Sequence, residues 1–517
     1  MTDTALPPPA GQPAVPMSRR EILLVFASLM LGMFLASLDQ TIVATALPTI
    51  VGELGGLTHL SWVVTAYMLT STASAPLYGK LSDLYGRKVV FQAAILIFLG
   101  GSMLSGLSQS MGQLIAFRAV QGVGAGGLMV MALTIIGDIL SPRERGRYQG
   151  YMGSVFALSA VSGPLLGGFF VDHVDWRWVF YVNLPIGLAA MTFTGRYLKL
   201  PRKRRQRKVD YPGAVLLVAG VSAALLVTVW GGAEYPWSSP VIVGLSIAAV
   251  GLLVLFVLQE RRAEEPILPL RLFGDRVFRI TSAAGFIVGL AMFGGIVFLP
   301  LFLQVVSGVS ATNSGLLLVP LMVGMLTTSI VSGRRISSHG RYKRYPVAGT
   351  AIAVVGLWML STMTPETATL TVSAYMLVLG SGLGLVMQVL VIAVQNAVPV
   401  DDLGAATSAS TFFRSLGGSF GTALFGAVLT ARLTAGIARW LPGVADSIPI
   451  GELTGSPATL AQLPVEVREP LVAAFSEAIT GVFAVAIPFA VVAFLLALAL
   501  PELPLRETAH VGQQVEV

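Results

Sequence analysis

Three ionisable residues lie inside long apolar stretches of this sequence: Asp39, Arg118 and Arg414. Asp39 is the only ionisable residue in the run from 22 to 47. This run is longer than the about 20 residues with which a helix crosses a bilayer. A charged Asp at the centre of such a helix costs about 2.5 to 3.5 kcal/mol, so it must be paired, protonated or facing water. Because Asp39 and Arg118 fall in the same half of the chain, we expect them to pair, directly or through water.

A buried pair of this kind has two states. When the Asp39 carboxylate is ionised it binds Arg118, and when the carboxylate is protonated the pair loosens. Burial favours the protonated form and a nearby guanidinium favours the ionised form, so opening and closing a cavity beside the pair could move a proton. This predicts a proton-coupling role for both residues. The alternative is a permanent salt bridge that only fixes helix packing.

Glycine, proline and amide side chains supply further candidates. In Gly163-Pro164-Leu-Leu-Gly167 the proline removes a backbone hydrogen bond and bends a helix, while the glycines flatten one face. This predicts either a kinked gating helix beside a cavity or ordinary close packing. Polar residues in the spans are candidates for a substrate cavity, although singly such residues more often join two helices. The candidates are Tyr67, Gln121, Asn183, Gln304, Gln395 and Arg414.

A charged motif ends the second apolar span, with Gly79, Asp83, Gly86, Arg87 and Lys88 at its key positions. Asp83 can accept hydrogen bonds from amides at a helix N-terminus or pair with Arg87 or Arg145. Such a latch would bias alternating access if it closed in only one conformation. The simpler interpretation is a tight glycine turn whose basic residues anchor the topology.

The composition is that of a helical integral membrane protein. The chain is 55% hydrophobic and 11% charged, whereas soluble domains carry about 25% charged residues. It has no cysteine, and its four histidines are scattered, so we predict neither disulfides nor a metal site. Gly122-x-Gly124-x-x-Gly127 fits a dinucleotide fingerprint, but no strand precedes it. We therefore predict no cofactor and no enzymatic activity.

Fourteen apolar spans and their flanking charges predict the topology. Lys and Arg concentrate in alternate connections, which places both termini in the cytoplasm. The basic run 202–208 is interpreted as a topology anchor rather than a patch for nucleic acid or anionic lipid. The predicted spans lie near 22–47, 60–82, 89–109, 113–136, 148–170, 179–198, 212–232, 239–259, 277–304, 312–332, 346–364, 371–398, 404–430 and 478–500.

Two weak motif pairs recur at nearly the same offset along the chain. Gly79 to Lys88 matches Gly333 to Arg341, and Ser141 to Gly146 matches Val398 to Gly404. Both pairs predict a parallel duplication of a six-helix unit. The predicted parts are a disordered tail 1–21, a bundle 22–198, a basic loop with two inserted helices 199–276, a second bundle 277–500 with a long outer loop 431–477, and a tail 501–517.

From about residue 22 to 500 the sequence resembles the fourteen-helix drug:proton antiporter branch of the major facilitator superfamily. The resemblance implies that superfamily's fold, with Asp39 and Arg118 as the proton-coupling pair. It also implies that Asp83, Arg87 and Lys88 form a cytoplasmic gate latch. Gly163, Pro164 and Gly167 would then belong to the antiporter helix. The motifs that carry the resemblance are LDQTIVATALP (38–48), WVVTAYML (62–69), GKLSDLYGRK (79–88), RAVQGVGAGG (118–127), SGPLLGG (162–168), WRWVFYVNLPIG (176–187), FLPLFLQ (298–304) and FFRSLGGSFG (412–421).

The sequence departs from the family's pattern at three points. Ser337 stands where the second-half latch would have an acid, so that latch should be weaker. Ser159 stands where the extended antiporter pattern often has glycine. The second-half spans contain no acidic residue, whereas some relatives are thought to use one for dications.

We therefore predict a monomeric, proton-coupled antiporter of the cell membrane that exports lipophilic cationic or neutral drugs and has no nucleic-acid partner. The alternative is an exporter or flippase of a lipid or an endogenous secondary metabolite, because the predicted outer loop holds an amphipathic-looking stretch, Val465 to Ala478. An uptake symporter would differ in the direction of proton movement. A membrane enzyme or receptor is disfavoured by the lack of a catalytic constellation.

Overall fold

The computed structural model describes residues 18–54, 60–198, 209–232, 234–309, 315–441 and 464–506. Fourteen long helical segments, α1 to α14, make up most of these residues. The sixth consists of Trp178–Tyr181 and Asn183–Tyr197, joined by a turn at Val182. The segments are α1 Arg19–Leu54, α2 Leu60–Tyr85, α3 Arg87–Gly106, α4 Met111–Ile139, α5 Pro142–His173, α6 as given, α7 Tyr211–Trp230, α8 Pro240–Glu260, α9 Arg276–Leu301, α10 Val319–His339, α11 Arg344–Ser361, α12 Thr369–Ala397, α13 Leu403–Trp440 and α14 Val465–Ala499. The predicted tails up to residue 17 and from 507, the basic run 202–208 and positions 442–463 of the predicted loop lie outside the described residues.

Polar residues in the connections determine where several helices begin. Ser141 starts α5 with a capping box, in which its hydroxyl accepts from the Glu144 N–H and the Glu144 side chain bonds back to the Ser141 N–H. Pro142 follows in the first turn, where a missing N–H costs little. Side-chain caps of this type satisfy backbone donors that have no helical partner. The other side-chain caps include Ser110, Asp210, Ser239 and Asp275.

The predicted all-helical membrane architecture is confirmed. In the described part of the chain, eleven helices are long and apolar enough to cross a membrane by length and composition. The other three of the fourteen segments are α2, α9 and α11. The count of fourteen membrane crossings is consistent with these helices and stays a prediction.

Eight helices form a ring. Around it each helix packs against the next in the order α2, α4, α1, α5, α10, α12, α9 and α13, and α13 closes the ring on α2. Helices α3 and α6 back the first four, and α11 and α14 back the second four. Two large hydrophobic cores, one in each group of helices, hold the bundles together.

The helix contacts repeat with an offset of eight helices, as an internal duplication would produce. The contacts of α1 with α5, α2 with α4 and α3 with α4 recur as α9 with α13, α10 with α12 and α11 with α12. The contacts between the two halves are also related, because α2 meets α13 and α10 meets α5. We call these two contacts, α2 with α13 and α5 with α10, the seam between the bundles.

The inserted helices lie across this seam. Helices α7 and α8 pack against each other, and α7 contacts both α2 and α13, one from each half. Leu217 and Val221 of α7 share a buried cluster with Ala73 of α2 and Phe412 of α13. The inserted pair is therefore packed against both bundles.

Three helices extend beyond the apolar spans predicted for them. Helix α1 continues past residue 47 to Leu54, α13 continues to Trp440, and α14 begins at Val465. The predicted loop 431–477 is thus helical at both ends, and the stretch from Val465 to Ala478 belongs to α14. Hydropathy located only the apolar parts of these helices, whereas their polar ends continue as helix. The two extensions pack against each other, with Arg439 Nη1 3.6 Å from Glu477 Oε1.

Candidate functional site

Asp39 and Arg118 form a fully buried ion pair within the first bundle of helices. Asp39 lies on α1 and Arg118 on α4, with exposed fractions of 0% and 1%. Arg118 Nη1 lies 2.5 Å from Asp39 Oδ2. The expected pairing is therefore present in the structure, whereas its use for proton coupling stays a prediction.

The other carboxylate oxygen of Asp39 is held by two amide groups. Gln121 Nε2 donates to Asp39 Oδ1 at 2.8 Å, and Asn183 Nδ2 donates to the same atom at 3.1 Å. Gln121 Oε1 accepts from Arg118 at 2.7 Å, so this side chain bridges both members of the pair. Three donors, from Arg118, Gln121 and Asn183, therefore converge on this one buried carboxylate.

Helix α6 reaches the pair because it begins with an interrupted turn. Asn183 follows the turn at Val182, and its Nδ2 also donates to Ser102 Oγ of α3 at 3.0 Å. Ser102 in turn donates to the Phe180 carbonyl at 2.8 Å. These bonds fix the orientation of the Asn183 amide and join α3, α6 and α1 at one point.

Aromatic rings enclose the Arg118 guanidinium. Its Cζ lies 4.1 Å from the centroid of the Tyr67 ring and 5.9 Å from that of Phe180. The Tyr67 hydroxyl donates to the Ala36 carbonyl of α1 at 3.2 Å. Desolvated cation–π contacts of this kind contribute about 2 kcal/mol, so they stabilise the guanidinium when it is withdrawn from water.

The Gly163-Pro164-Gly167 segment of α5 lies directly against α1, one turn beyond Asp39. A Cβ at Gly163 would come within 2.6 Å of the Thr41 Cβ, and one at Gly167 within 3.0 Å of the Ile42 carbonyl. The Thr41 hydroxyl donates to the Ser159 carbonyl of α5 at 2.9 Å. Helix α1, two to three residues beyond Asp39, is thus in direct contact with α5 at the predicted antiporter segment.

One end of the bundle carries the starts of α1, α3 and α5, with Arg19, Arg87 and Arg143; we call it the basic end. There Arg87 binds Asp83, and its Nε lies 2.6 Å from Oδ2 of Asp138 at the end of α4. Asp83 therefore pairs with Arg87 rather than with Arg145.

Asp83 also reaches the second half of the protein. Its Oδ2 accepts from the Ala405 N–H in the first turn of α13 at 3.2 Å. Helices α2 and α13 touch at two glycines, because a Cβ at Gly79 would collide with the Ser408 hydroxyl, and one at Gly404 would lie 2.5 Å from Asp83 Oδ1. The latch motif thus holds the two halves together at the basic end.

The remaining latch residues shape the turn. Gly86 connects α2 to α3 with φ of +93°, a conformation that favours glycine. The Lys88 ammonium donates to the Gly195 carbonyl of α6. These two residues position Arg87 without crossing the seam.

A second set of contacts closes the α5–α10 side of the seam. Arg143 donates through Nε to the Ser337 carbonyl at 2.8 Å and through Nη2 to the Ser338 carbonyl at 2.8 Å. Ser337, where an acid was expected, therefore contributes a backbone oxygen. Further inside, the Gln395 Nε2 of α12 donates to the Leu133 carbonyl of α4 at 3.1 Å.

The inserted segment adds two ion pairs at the same end. Lys80 Nζ of α2 lies 2.6 Å from Glu265 Oε2, in the connection after α8. Arg271 Nη2 lies 2.7 Å from Oδ1 of Asp402, which precedes α13. Residues 261–275 therefore bind both halves by charge.

The predicted cavity residues occupy three kinds of position. Tyr67, Gln121, Asn183 and Gln395 are fully buried and take part in the contacts above, although the Asn183 Oδ1 accepts no hydrogen bond from the described residues. Gln304 and Arg414 are half-buried, and Gln304 lies in a π-helical turn, Phe302–Val306. Whether any of them touches substrate stays a prediction.

Sequence reasoning missed several partners in these networks. Ser102 is a single small polar residue, and Asp138 falls two positions beyond the predicted end of span four. Their proximity to Asn183 and Arg87 comes from the tertiary fold. An excess of basic over acidic residues around the latch could have prompted a search for Asp138. The other missed residues are Glu265, Asp402 and Phe180.

Comparison with known proteins places the chain in a family. A family model described as Major Facilitator Superfamily matches residues 29–422. The chain is 40% identical over 426 residues to the multidrug transporter protein MdtP of Bacillus subtilis (strain 168), covering 82% of this chain and 79% of that protein. It is 36% identical over 498 residues to multidrug resistance protein 3 of the same strain, covering 95% of this chain and 97% of that one.

A solved structure supports the fold. The proton:xylose symporter XylE bound to 6-bromo-6-deoxy-D-glucose aligns with a TM-score of 0.61 at 14% identity, covering 93% of this chain and 96% of that one. At this identity the likeness concerns the fold alone. The protein described here belongs to the Major Facilitator Superfamily and is a multi-pass membrane transporter, not an enzyme.

Proposed function

We propose that this transporter exports lipophilic small molecules, cationic or neutral, in exchange for protons. The observation that carries the proposal is the Asp39–Arg118 pair, fully buried within the first bundle. Ionisable groups within a membrane are costly and mark functional sites. Two relatives of similar length are named as multidrug proteins, which favours drug-like substrates over nutrients.

Asp39 is the group that would carry the proton. Protonation removes the negative charge that holds Arg118 and turns one acceptor oxygen of Asp39 into a donor. The amides of Gln121 and Asn183 must then rearrange. Thr41 and Gly163 join α1 to α5. The rearrangement would therefore shift α5 and change its packing against α10 at the seam. Each proton that crosses 100 mV releases about 2.3 kcal/mol, enough to bias this step.

Alternating access would use the seam as its gate. The contacts of Asp83, Arg143 and Gln395 close the basic end, so the cavity of this conformation would open at the opposite end. By the positive-inside rule the basic end faces the cytoplasm of the cell membrane. Opening it breaks the Asp83–Ala405 bond and separates α2 from α13. The protein would work as a monomer with no cofactor.

The Asp39 site also bears on substrate charge. A neutral lipophilic compound needs only the apolar lining that such cavities provide. A cation would need a free carboxylate, and the carboxylate of Asp39 already has three donors. A cationic substrate would therefore reach it only after Arg118 has moved away.

Transport by the purified protein in proteoliposomes tests the proposal. The lipophilic cation used is ethidium. In proteoliposomes whose transporters are oriented inside out, we expect an imposed pH gradient to drive ethidium uptake. Added ethidium should in turn drive protons across the membrane in the direction opposite to its own. Asp39→Asn should abolish both effects. The variant should still show the thermal unfolding transition of a folded protein. Asp172→Asn, at an exposed site on α5, is the matched control.

Two outcomes would contradict the proposal. Movement of protons and ethidium in the same direction would indicate symport. Undiminished gradient-driven transport by Asp39→Asn would remove Asp39 from the coupling mechanism.

A further inference from the structure

Arg414 faces the interior of the helix ring. It lies on α13 seven positions after Thr407, and residues two turns apart share one face of a helix. The Thr407 hydroxyl accepts from Gln395 Nε2 of α12 at 3.2 Å, and the same nitrogen donates to the Leu133 carbonyl of α4. Thr407 therefore points to the place where the two bundles meet inside the ring, and Arg414 points the same way, about 10 Å farther from the basic end.

The neighbouring residue shows which face of α13 is turned outward. Phe413 packs edge-on against Phe273 of the inserted segment, with ring centroids 6.0 Å apart. Phe413 and Phe412 also belong to the buried cluster shared with α7. The insertion thus covers the Phe413 face, and the Arg414 face remains for the ring interior and α9.

The Arg414 position of α13 packs against two glycines of α9. On α9, a Cβ built at Gly285 would find the Arg414 Cβ at 3.9 Å and the Ser410 carbonyl at the same distance, with nothing nearer. One turn on, Gly289 is in tight contact with the α13 backbone at Arg414. Helices α9 and α13 therefore meet tightly at Gly289 and in ordinary van der Waals contact at Gly285, and the Arg414 side chain is half-buried.

The charge of Arg414 is not neutralised by the part of the chain that the structure describes. It makes no hydrogen bond or ion pair with a described residue, and α9 to α13 contain no Asp or Glu. Asp39, in the other half, is already bonded to Arg118, Gln121 and Asn183. Arg118 is thus paired with a carboxylate, whereas Arg414 has none among the described residues.

We propose that Arg414 binds the carboxylate of lipophilic acids, which adds weak organic acids and zwitterions to the transported compounds. The inference rests on the proposed export function and names a further substrate class for it. An unpaired guanidinium inside a membrane is costly, and its fork of donors matches a carboxylate through two parallel hydrogen bonds. An acidic substrate would supply the missing counter-charge, while its apolar body occupies the adjacent lining.

Binding of a matched pair of probes tests the inference. The probes are 1-pyrenebutyrate and its methyl ester, which share an apolar body and differ in charge. Quenching of the protein's tryptophan fluorescence is measured with the full chain in phosphatidylcholine nanodiscs, and empty nanodiscs serve as the blank. We expect the carboxylate to bind at least tenfold more tightly than the ester. Arg414→Gln should reduce this preference to less than twofold.

Two further variants make the result specific. Arg414→Lys keeps the charge but not the fork of donors, and should retain a preference of about threefold to fivefold. Arg432→Gln, at an exposed site on the same helix, should bind both probes as the wild type does. Unchanged ester binding by Arg414→Gln shows that this variant is folded.

The outcomes separate this inference from the proposed function. Equal affinity of the wild type for the two probes, or a full preference retained by Arg414→Gln, would overturn the role of Arg414. Displacement of pyrenebutyrate by added phosphatidylglycerol would also overturn it, because the site would then belong to a lipid phosphate. Gradient-driven export of the ester alone would leave the proposed function intact. Binding of the acid with no gradient-driven export of either probe would contradict the proposed function instead.

Discussion

Lys80 of α2 is bound to Glu265, a residue 185 positions later in the chain, through an ion pair of 2.6 Å. Both side chains are about nine-tenths buried, at 11% and 12% exposure. A few residues on, Arg271 binds Asp402 of the second half. The segment from 261 to 275 therefore ties α2 to the start of α13, across the same seam that the Asp83 latch closes. The inserted helices are thus connected by charge to both sides of this seam.

Neutralising Glu265 should weaken the closed basic end. A hydrogen bond to a charged group contributes about 1.5 to 3 kcal/mol, so Glu265→Gln should raise the population with an open basic end about tenfold or more. The chain has no cysteine, so a single Ser408→Cys substitution at the seam reports opening by its rate of thiol labelling. We expect that rate to rise by the same factor.

Glu264→Gln provides the control, because Glu264 is the exposed neighbour of Glu265. Its labelling rate should equal that of the Ser408→Cys background. Equal labelling in both variants would show that the Lys80–Glu265 pair does not hold the seam closed.

A methyl group at Gly404 should prevent the basic end from closing. It would lie 2.5 Å from Asp83 Oδ1, 2.6 Å from Arg87 Nη1 and 2.7 Å from the Gly79 carbonyl. Overpacking of this kind costs about 1 to 3 kcal/mol, so Gly404→Ala should reduce gradient-driven export at least tenfold. Gly244→Ala on α8, where no atom lies within 4 Å of the added Cβ, should transport normally. Export by Gly404→Ala at the wild-type rate would mean that the latch contact is not needed.

Glu53 allows a test of pH dependence outside the membrane-spanning part of α1. Its Oε2 accepts from the Trp176 indole at 2.7 Å, and its Oε1 lies 2.8 Å from Arg177 Nη1. The hydrogen bond from Trp176, followed by that from Arg177, lowers the pKa of Glu53 below its ordinary value of 4.5. A carboxyl group with a lowered pKa stabilises the folded state above its unfolded pKa, and this contribution is lost as pH falls through the folded pKa.

Glu53→Gln should therefore lower the Tm by a constant amount from about pH 5.5 to 8, and the difference should shrink below pH 4.5. The pH dependence of export near neutrality should be the same in both proteins. A Tm difference that changes between pH 6 and 8 would contradict this assignment.

The sequence predicted those features that are costly in a membrane. The pairing of Asp39 with Arg118 could be predicted, because an unpaired charge has a high free-energy cost in a membrane and both residues fall within one repeat. Lys80 and Glu265 could not be paired, because Lys80 lies at the end of the second span and Glu265 in a polar connection, and only the tertiary fold brings them together. The motif pairs predicted a duplication, and the helix contacts repeat accordingly. The ends of α13 and α14 were missed because hydropathy changes at the membrane surface, whereas the helical hydrogen bonds of Arg432 and Glu466 continue beyond it.

The Thr41 hydroxyl provides the last test, because it links the Asp39 turn of α1 to the Ser159 carbonyl of α5. Thr41→Val preserves the branched shape beside Gly163 and removes the hydrogen bond. Such a bond contributes about 1 kcal/mol, which corresponds to about a fivefold loss in the rate of gradient-driven export if the bond forms only in one of the two conformations. Thr41→Ser keeps the hydroxyl and should export at nearly the wild-type rate, and Thr45→Val, at an exposed position one turn away, is the control. Ethidium binding at equilibrium should change less than twofold in all three variants. A loss of binding that parallels the loss of export would place Thr41 in the substrate site instead of the link between the two helices.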